Sequence, residues 1–508
     1  MELTNPLVQA SLAGQPVAVP VEDGRSGFIA PLLRGLAWTA LAKWSTQALT
    51  WASTLVVIRF LSPADYGLVG MATVFLGMAT VLSEFGLGSA IVYLRGLTAE
   101  HIAQLNVLSV LFGVMTFAAC CGLAIPVALF FHSPQLRSVV VIMSAAFVIS
   151  SFQVVPYALL QRDKAFKWLA AADGWRAVTQ AGTTVALAAL GWRYWSLVYG
   201  GLAGAGVSAA VLTWRRPSPF SMPRMRTIKP AMVFGRDVIV SRVSWYVYAN
   251  SDFAVAGRML GQAQLGAYTV AWTLASAAID KLTDLVSRVS PAFVSEAQHD
   301  PASIRRYLRT LTEGISLVTF PATLGLALIA PDFVAVVLGP RWAAVAEPLR
   351  WLALYACIRS ITTLFAPIMS AVDLKWASRY GLIFPVVFPT AFYFGSRWGT
   401  AGIAALWVVL YPVLYVPIYR RLFAKIQMHR REYLQSIWPS LSSSIGMMCA
   451  VFAVRTSLPS SWPESVHLAL ELIVGAATYV AVLGAMHRER FVALTRAVRV
   501  LRQGETPR

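Results

Sequence analysis

Basic side chains occupy equivalent positions in two long apolar segments of the chain. Lys43 lies in the first segment, and Arg242 lies in the seventh. An ionisable side chain deep in a bilayer costs about 2.5 to 3.5 kcal/mol on insertion scales, so each cation needs a water-filled cavity or a partner. Two cations that converge on one cavity could bind a phosphate or pyrophosphate group. The alternative interpretation is that both side chains extend to the lipid headgroups.

Other charged side chains within apolar segments are further candidates for this site. Arg176 and Arg359 are second candidates for binding an anionic substrate. A lone carboxylate at mid-membrane depth, such as Asp252, could exchange a proton or hold Na⁺, or it could pair with a nearby arginine. Four acidic side chains are therefore candidates for ion coupling or gating: Asp252, Glu84, Asp280 and Asp284.

Three charges follow one another along one face of the eighth apolar segment. Asp280, Asp284 and Arg288 are each four residues apart, a spacing that puts them on the same face of a helix. This face either forms ion pairs with neighbouring helices or is part of a polar cavity wall. Glu84 in the second segment has the same two interpretations.

The equivalence of Lys43 and Arg242 follows from an internal repeat. The sequence RFLSPADYGLVGMA, which starts at Arg59, returns without a gap as RMLGQAQLGAYTVA from Arg258. The same alignment places Lys43 on Arg242 and Arg59 on Arg258. An even number of apolar segments separates the two copies, so both have the same orientation in the membrane, as in parallel-repeat transporters. We expect Arg59 and Arg258 near the outer surface.

The composition predicts an all-α membrane protein. Of the 508 residues, 57% are hydrophobic and 13% are charged, and the mean hydropathy is +0.63. A bilayer core needs an apolar helix of about 20 residues. We count about fourteen such segments, at roughly 36–58, 67–93, 106–131, 138–160, 172–191, 195–214, 231–257, 265–291, 311–330, 349–372, 377–395, 400–419, 435–454 and 464–486.

The repeat divides these helices into two six-helix lobes, with two additional helices at the C-terminal end. The basic, proline-rich sequence RRPSPFSMPRMR predicts the linker between the lobes. The predicted units are a cytoplasmic tail (1–33), an N-lobe (34–214), a linker (215–229), a C-lobe (230–419), two additional spans (420–486) and a basic cytoplasmic tail (487–508).

The distribution of positive charge indicates membrane topology and not a nucleic-acid partner. The formal net charge is +19, and Lys and Arg concentrate in alternate breaks between the apolar segments. Such breaks lie in the cytoplasm, so both termini are expected there. The start of the chain has no basic stretch followed by a short apolar core, so we expect no cleaved signal peptide.

The sequence contains no motif that predicts an enzyme or a cofactor. The cysteines have no metal-ligand spacing, there is no nucleotide-binding loop, and no break could hold a catalytic domain. We expect a transporter without a cofactor, with possible coupling to H⁺ or Na⁺. Tryptophan and tyrosine near segment ends, Trp342 and Tyr411 among them, are interpreted as interfacial anchors, or as platforms for sugar rings.

The chain resembles the polysaccharide transporter family, whose members are lipid-linked oligosaccharide flippases, and in particular its colanic-acid-exporter-like branch. That family belongs to the multidrug/oligosaccharidyl-lipid/polysaccharide exporter superfamily. The motifs that carry the resemblance are KW at Lys43, RFLSPADYGLVGMATVF from Arg59, EFGLGSAIV from Glu84, LQRDKAFKW from Leu160, NSD from Asn250, GRMLG from Gly257, SPAF from Ser290 and LGPRW from Leu338.

The resemblance implies a bacterial inner-membrane protein that moves an undecaprenyl-pyrophosphate-linked repeat unit from the cytoplasmic to the periplasmic leaflet by alternating access. Its products would serve exopolysaccharide, capsule or O-antigen synthesis. The implied partners are this lipid-linked oligosaccharide, membrane lipids, a polysaccharide polymerase and a chain-length regulator. Alternatives are a cation-coupled drug or small-solute antiporter, which would favour an acidic cavity, a polysaccharide polymerase or ligase, and a structural scaffold.

Overall fold

The computed structural model consists of helices joined by short turns, and its described residues contain no strand. It describes residues 46–83, 87–93, 97–222, 225–297, 300–459 and 461–490. Within these ranges it describes the backbone alone at 89–90, 93, 225–241, 278, 281–297, 371, 374 and 378. The predicted all-α fold is confirmed.

Among the described residues, seven α-helices precede the linker. They are α1 (46–60), α2 (Pro63–Ser83), α3 (Leu87–Tyr93), α4 (Ala99–Phe130), α5 (Leu136–Arg162), α6 (Phe166–Ala189) and α7 (Tyr194–Arg215). Polar side chains fix where some of them start. The Thr98 hydroxyl accepts the backbone N–H of His101 at the start of α4, and the Asp65 carboxylate accepts the backbone N–H of Ser62 at 3.0 Å at the start of α2.

In the described part of the chain, nine α-helices follow the linker. They are α8 (Met225–Ala297), α9 (Pro301–Phe333), α10 (Ala346–Thr362), α11 (Phe365–Val372), α12 (Leu374–Gly381), α13 (Phe384–Gly395), α14 (Gly399–Lys425), α15 (Arg430–Ser457) and α16 (Glu464–Met486). The long helix α8 contains the seventh and eighth predicted segments, and it bends at Gly261. The φ angle of Gly261 is 82°, a left-handed conformation that glycine adopts without a steric penalty.

Nine helical stretches among the described residues are long and apolar enough to cross a bilayer. Helix α6 is not one of them, because Asp173, Arg176 and Gln180 make its middle polar. The tenth and eleventh predicted segments are each divided between two helices, α10 and α11, and α12 and α13.

The helices pack as two groups. Before the linker, α4 packs on α5, α5 on α7, and α6 on α7; after it, α9 packs on α10, α10 on α14, and α8 on α13. The C-terminal pair α15 and α16 packs on α9, so the two additional helices extend the second group. This grouping agrees with two lobes, while the residue boundaries of the predicted units stay predictions.

The two copies of the repeat pack against each other where α2 meets α8. A Cβ atom added to Gly67 would overlap the backbone carbonyl oxygen of Gln262, and one added to Gly266 would overlap that of Pro63. The repeat makes Gly67 equivalent to Gly266, and Pro63 equivalent to Gln262. The two contacts are therefore reciprocal, as at an interface with a two-fold axis. Both depend on the absence of a side chain at the two glycines.

The start of the linker is held on the first lobe. The buried Asn106 side chain of α4 donates from Nδ2 to the carbonyl oxygens of Ser218 and Pro219, each at 3.2 Å. The guanidinium of Arg216 lies 3.5 Å from the carboxylate of Asp163, between α7 and α5. These contacts fix the chain as it leaves the first lobe.

Candidate functional site

The two repeat arginines each bind the opposite lobe. Arg59 donates from Nη2 to the carbonyl oxygen of Val337 at 3.0 Å, in the helical turn that follows α9. Arg258 contacts the ring of His132, which follows α4. Both arginines lie at the same end of the molecule, named here the Arg59 end. Like the glycine contacts, the two arginine contacts are reciprocal, since α4 and α9 occupy corresponding places in the two lobes.

Two further hydrogen bonds close the same end. Trp342 donates from Nε1 to the carbonyl oxygen of Ile58 at 3.1 Å, and Gln262 donates from Nε2 to the hydroxyl of Ser133 at 2.7 Å. The loops after α4 and α9 are thus each fixed to the other lobe. The structure is closed between the lobes at the Arg59 end.

We expect the removal of either arginine to open this end. Leu265 is fully buried beside Gly70, so a Leu265→Cys reporter, made without the native cysteines, is protected from maleimide while the end is closed. Since a hydrogen bond from a charged donor contributes about 1.5 to 3 kcal/mol, Arg59→Ala or Arg258→Ala should raise the labelling rate of the purified protein about 10- to 150-fold.

The matched control is Arg137→Ala, because Arg137 is an exposed arginine close in sequence to the same loop. It should leave the labelling rate unchanged. Equal labelling of all three variants and the parent would show that the arginines do not keep the lobes together.

A polar cavity of about 380 Å³ lies within the first lobe, between α1, α6 and α7. Its polar lining consists of Thr50, Ser53, Thr54, Tyr66, Asp173, Arg176, Gln180 and Thr184. Arg176 is exposed there, so its guanidinium and the surrounding hydroxyl groups are able to bind phosphate oxygens or sugar hydroxyls. Arg176, one of the predicted substrate-binding cations, therefore lies in a polar cavity.

The predicted cation Arg359 and the predicted acid Asp280 lie together. Arg359 donates from Nη2 to Asp280 Oδ1 at 2.7 Å and from Nη1 to the hydroxyl of Ser276 at 3.3 Å. Its guanidinium also lies 5.9 Å from the ring centroid of Trp272. This geometry favours the ion-pair interpretation for Asp280. An arginine already paired with a carboxylate binds a second anion less strongly, so Arg359 is a weaker substrate candidate than Arg176.

Asp252 is fully buried and surrounded by donors. Its carboxylate accepts the hydroxyl of Tyr268 at 2.8 Å, the indole N–H of Trp407 at 3.0 Å and the backbone N–H of Phe253 at 2.9 Å. A Na⁺ site requires several oxygen ligands, whereas two of these three partners are N–H groups. The arrangement favours an anchoring role within the second lobe, and ion coupling at Asp252 stays a prediction.

The aromatic side chains around Asp252 form the interior of the second lobe. They are Tyr248, Phe253, Tyr268, Trp272, Tyr355, Phe384, Phe388, Phe392, Trp407, Tyr411 and Tyr415. Tyr411 and Trp342 are 3% and 1% exposed, so the interpretation of these two residues as interfacial anchors was wrong. Hydropathy places both rings near helix ends, but the packing of α14 and of the Arg59-end loops buries them.

The structure describes the remaining predicted residues to different extents. Arg242 is partly buried on α8, three residues before the exposed Trp245. Lys43 and Glu84 lie outside the described residues, and so does the side chain of Asp284. The convergence of Lys43 and Arg242 therefore stays a prediction.

An apolar groove of about 600 Å³ lies between α9 and the C-terminal pair α15 and α16. Helix α8 contributes Leu274, and α1 contributes Trp51. Glu471 also lines the groove and is 1% exposed, and neither carboxyl oxygen has a hydrogen-bond partner among the described residues. The sequence analysis missed Glu471. The signal was present, because it is an acidic residue in the middle of the last apolar segment.

Two solved structures have this fold. One is described as "Lipid II flippase MurJ, inward closed conformation", with a TM-score of 0.73 and 13% identity, covering 89% of this chain and 99% of that chain. Another is an inward-facing multidrug resistance MATE family transporter, with a TM-score of 0.61 and 16% identity, covering 75% and 96%. The fold and the apolar spans define an all-α, multi-pass membrane protein.

Residues 56–347 match the family described as "Polysaccharide biosynthesis protein". This match spans more than half of the chain, and the chain belongs to that family. Among its relatives are the lipopolysaccharide biosynthesis protein WzxC of Escherichia coli K12, at 25% identity over 65% of this chain and 68% of the relative, and the succinoglycan biosynthesis transport protein ExoT of Rhizobium meliloti, at 25% identity over 67% and 69%.

Proposed function

We propose that the protein flips an undecaprenyl-pyrophosphate-linked oligosaccharide across the membrane by alternating access. The observation that carries this proposal is the position of α1 between two unlike compartments. Thr50, Ser53 and Thr54 line the polar cavity of the first lobe, while Trp51 lines the apolar groove. A substrate with a polar head and a long hydrocarbon tail could place the head in the cavity and the tail in the groove, on either side of the same helix.

Charge provides the next step of the proposal. A pyrophosphate group needs cationic or hydroxyl partners once it leaves water. Arg176 supplies one such partner in the polar cavity, and Lys43 and Arg242 would supply two more. Arg359 contributes less in this scheme, because Asp280 already neutralises it.

Closure at the Arg59 end supports a transport cycle. Because arginine contacts, hydrogen bonds and close glycine packing hold the lobes together there, the substrate would enter from the opposite end. The lobes would then separate at the Arg59 end to release it. Alternating access of this kind is largely the rigid-body rocking of one lobe against the other.

The proposal includes the direction of transport and the location of the protein in the cell. The protein would lie in the bacterial inner membrane with both termini in the cytoplasm, and it would carry the repeat unit from the cytoplasmic to the periplasmic leaflet. The movement would draw on an H⁺ or Na⁺ gradient or on removal of the product, and a polymerase and a chain-length regulator would act on the delivered unit. The distribution of Lys and Arg supports this orientation.

The test combines charge-neutral substitutions at the repeat-paired cations. Lys43→Gln with Arg242→Gln should lower flipping of the lipid-linked oligosaccharide in proteoliposomes, and polymer export in a deletion strain, by about 10-fold or more, since each charged hydrogen bond contributes about 1.5 to 3 kcal/mol. Lys43→Arg with Arg242→Lys should retain most of the activity.

Arg350→Gln is the matched control, because Arg350 is a half-exposed arginine that pairs with Glu347 on the same helix. It should leave flipping and export unchanged. Normal flipping and export by the double glutamine variant would remove the proposed role of the two cations. No flipping by the unaltered protein, in the presence of the lipid-linked oligosaccharide, would contradict the proposed function itself.

A further inference from the structure

The second lobe contains a cavity of about 600 Å³ that is distinct from the polar cavity and the apolar groove. Helices α8, α11, α12, α13 and α14 line it. Many of its side chains are aromatic, namely Trp245, Tyr248, Trp376, Tyr380, Phe384 and Tyr415. Its polar lining includes Ser244, Ser370 and Arg379. Aromatic faces with a few polar groups between them suit a ligand that is itself partly apolar and partly polar.

Most of these rings are occupied by protein contacts. Trp376 and Tyr380 stack at 4.9 Å with an interplanar angle of 5°. The guanidinium of Arg421 lies 5.0 Å from the Trp376 ring centroid, and Asp373 holds that guanidinium through two hydrogen bonds of 2.7 and 2.9 Å. Tyr380 and Arg421 therefore both contact the Trp376 ring, and one face of Tyr380 is covered by Trp376.

Trp245 differs from its neighbours. It is 61% exposed, and it has no ring contact among the described residues. Because it lines the cavity, part of its exposed surface faces that cavity. An indole ring offers a large flat face that covers the apolar C–H groups of a sugar ring, while the hydroxyl groups of the sugar remain at the edges for polar partners.

The position of Trp245 on α8 connects this cavity with the proposed phosphate site. Arg242 precedes Trp245 by three residues, so the two side chains are neighbours on the helix surface, about 4.5 Å apart along its axis. In a pyrophosphate-linked oligosaccharide, the first sugar is bonded directly to the phosphate. The two adjacent side chains therefore match two adjacent groups of one ligand.

We propose that Trp245 is a sugar-stacking residue, and that the cavity beside it binds the sugar attached to the pyrophosphate. This inference rests on the proposed function. It assigns the first sugar of the substrate to the cavity beside Trp245. The hydrocarbon tail is a poorer occupant, because Arg379 and two serines line this cavity while the groove beside α9 has an almost entirely apolar lining.

The experiment compares two probes on the full-length protein in nanodiscs: undecaprenyl pyrophosphate without a sugar, and the same lipid bearing one glucose. The unaltered protein should bind the glucose-bearing probe about 3- to 10-fold more tightly, the range expected for one aromatic stacking contact. Trp245→Leu should abolish this preference and leave the affinity for the sugarless probe unchanged. Trp245→Phe should keep part of the preference.

Trp438→Leu is the control, because Trp438 is a similarly exposed tryptophan on α15; it should keep the full preference. The inference is overturned if the unaltered protein binds both probes equally, if Trp245→Leu keeps the preference, or if Trp245→Leu weakens both probes alike, as a tail contact would. If the unaltered protein binds neither probe, the proposed function is contradicted as well. This outcome distinguishes a failure of the proposed function from a failure of the sugar-stacking inference alone.

Discussion

Gly67→Ala and Gly266→Ala should each reduce polysaccharide export about 10- to 100-fold. The added Cβ would overlap a backbone carbonyl oxygen of the opposite lobe in both variants, Gln262 for Gly67 and Pro63 for Gly266. A backbone atom cannot move aside as a flexible side chain can, so the lobes must separate at this point. Overpacking at a close contact costs about 1 to 3 kcal/mol, and this cost falls on the state that is closed at the Arg59 end.

Two measurements distinguish a closure defect from a folding defect. The first is export in a deletion strain at matched membrane levels of the protein. The second is maleimide labelling of the Leu265→Cys reporter, which should be faster in both alanine variants. Gly122→Ala is the control, because Gly122 lies in α4 with no atom within 4 Å of an added Cβ. Full export with unchanged labelling in the Gly67 and Gly266 variants would contradict the close packing of the two repeats.

Asp252→Ala should destabilise the protein by about 2 to 5 kcal/mol, because it leaves the hydroxyl of Tyr268 and the indole N–H of Trp407 buried without an acceptor. We expect a lower unfolding temperature in detergent and less protein in the membrane. Asp252→Asn keeps one acceptor oxygen and should have a smaller effect. Ser251→Ala, next in the chain, removes only a hydroxyl bonded to its own helix at 3.2 Å and should leave stability nearly unchanged.

The same variants separate anchoring from ion coupling. Anchoring predicts that stability falls in the order unaltered protein, Asp252→Asn, Asp252→Ala. Coupling predicts that Asp252→Asn folds normally and that its flipping in proteoliposomes no longer depends on a pH or Na⁺ gradient. A stable asparagine variant with gradient-independent flipping would therefore contradict anchoring as the main role of this carboxylate.

The repeat was the most informative feature of the sequence. It predicted that Arg59 and Arg258 are equivalent, and the structure places both at one end of the molecule, each in contact with the other lobe. The same alignment predicted the equivalence of Gly67 and Gly266. It could not predict that these residues meet the opposite copy, because equivalence within a repeat does not determine how the two copies dock.

The candidate site was only partly predictable. Arg176 was predicted because it is a cation within an apolar segment, and it does line a cavity. The pairing of Arg359 with Asp280 could not be predicted in this way, because it joins residues that are far apart in sequence. Glu471 was missed although it lies in the middle of the last apolar segment. Trp245 was one of many tryptophans, and its exposure in the aromatic cavity of the second lobe is visible only in the structure.

The sequence by itself determined the helical membrane fold, the duplicated arrangement and the family, because hydropathy, helix length and repeated motifs are properties of short stretches of chain. The tertiary structure decided which end is closed, which charges are paired and which aromatic rings are buried. Arg59 meets Val337 across 278 positions, and Trp407 meets Asp252 across 155. Such contacts depend on how helices distant in sequence dock, which no local pattern specifies.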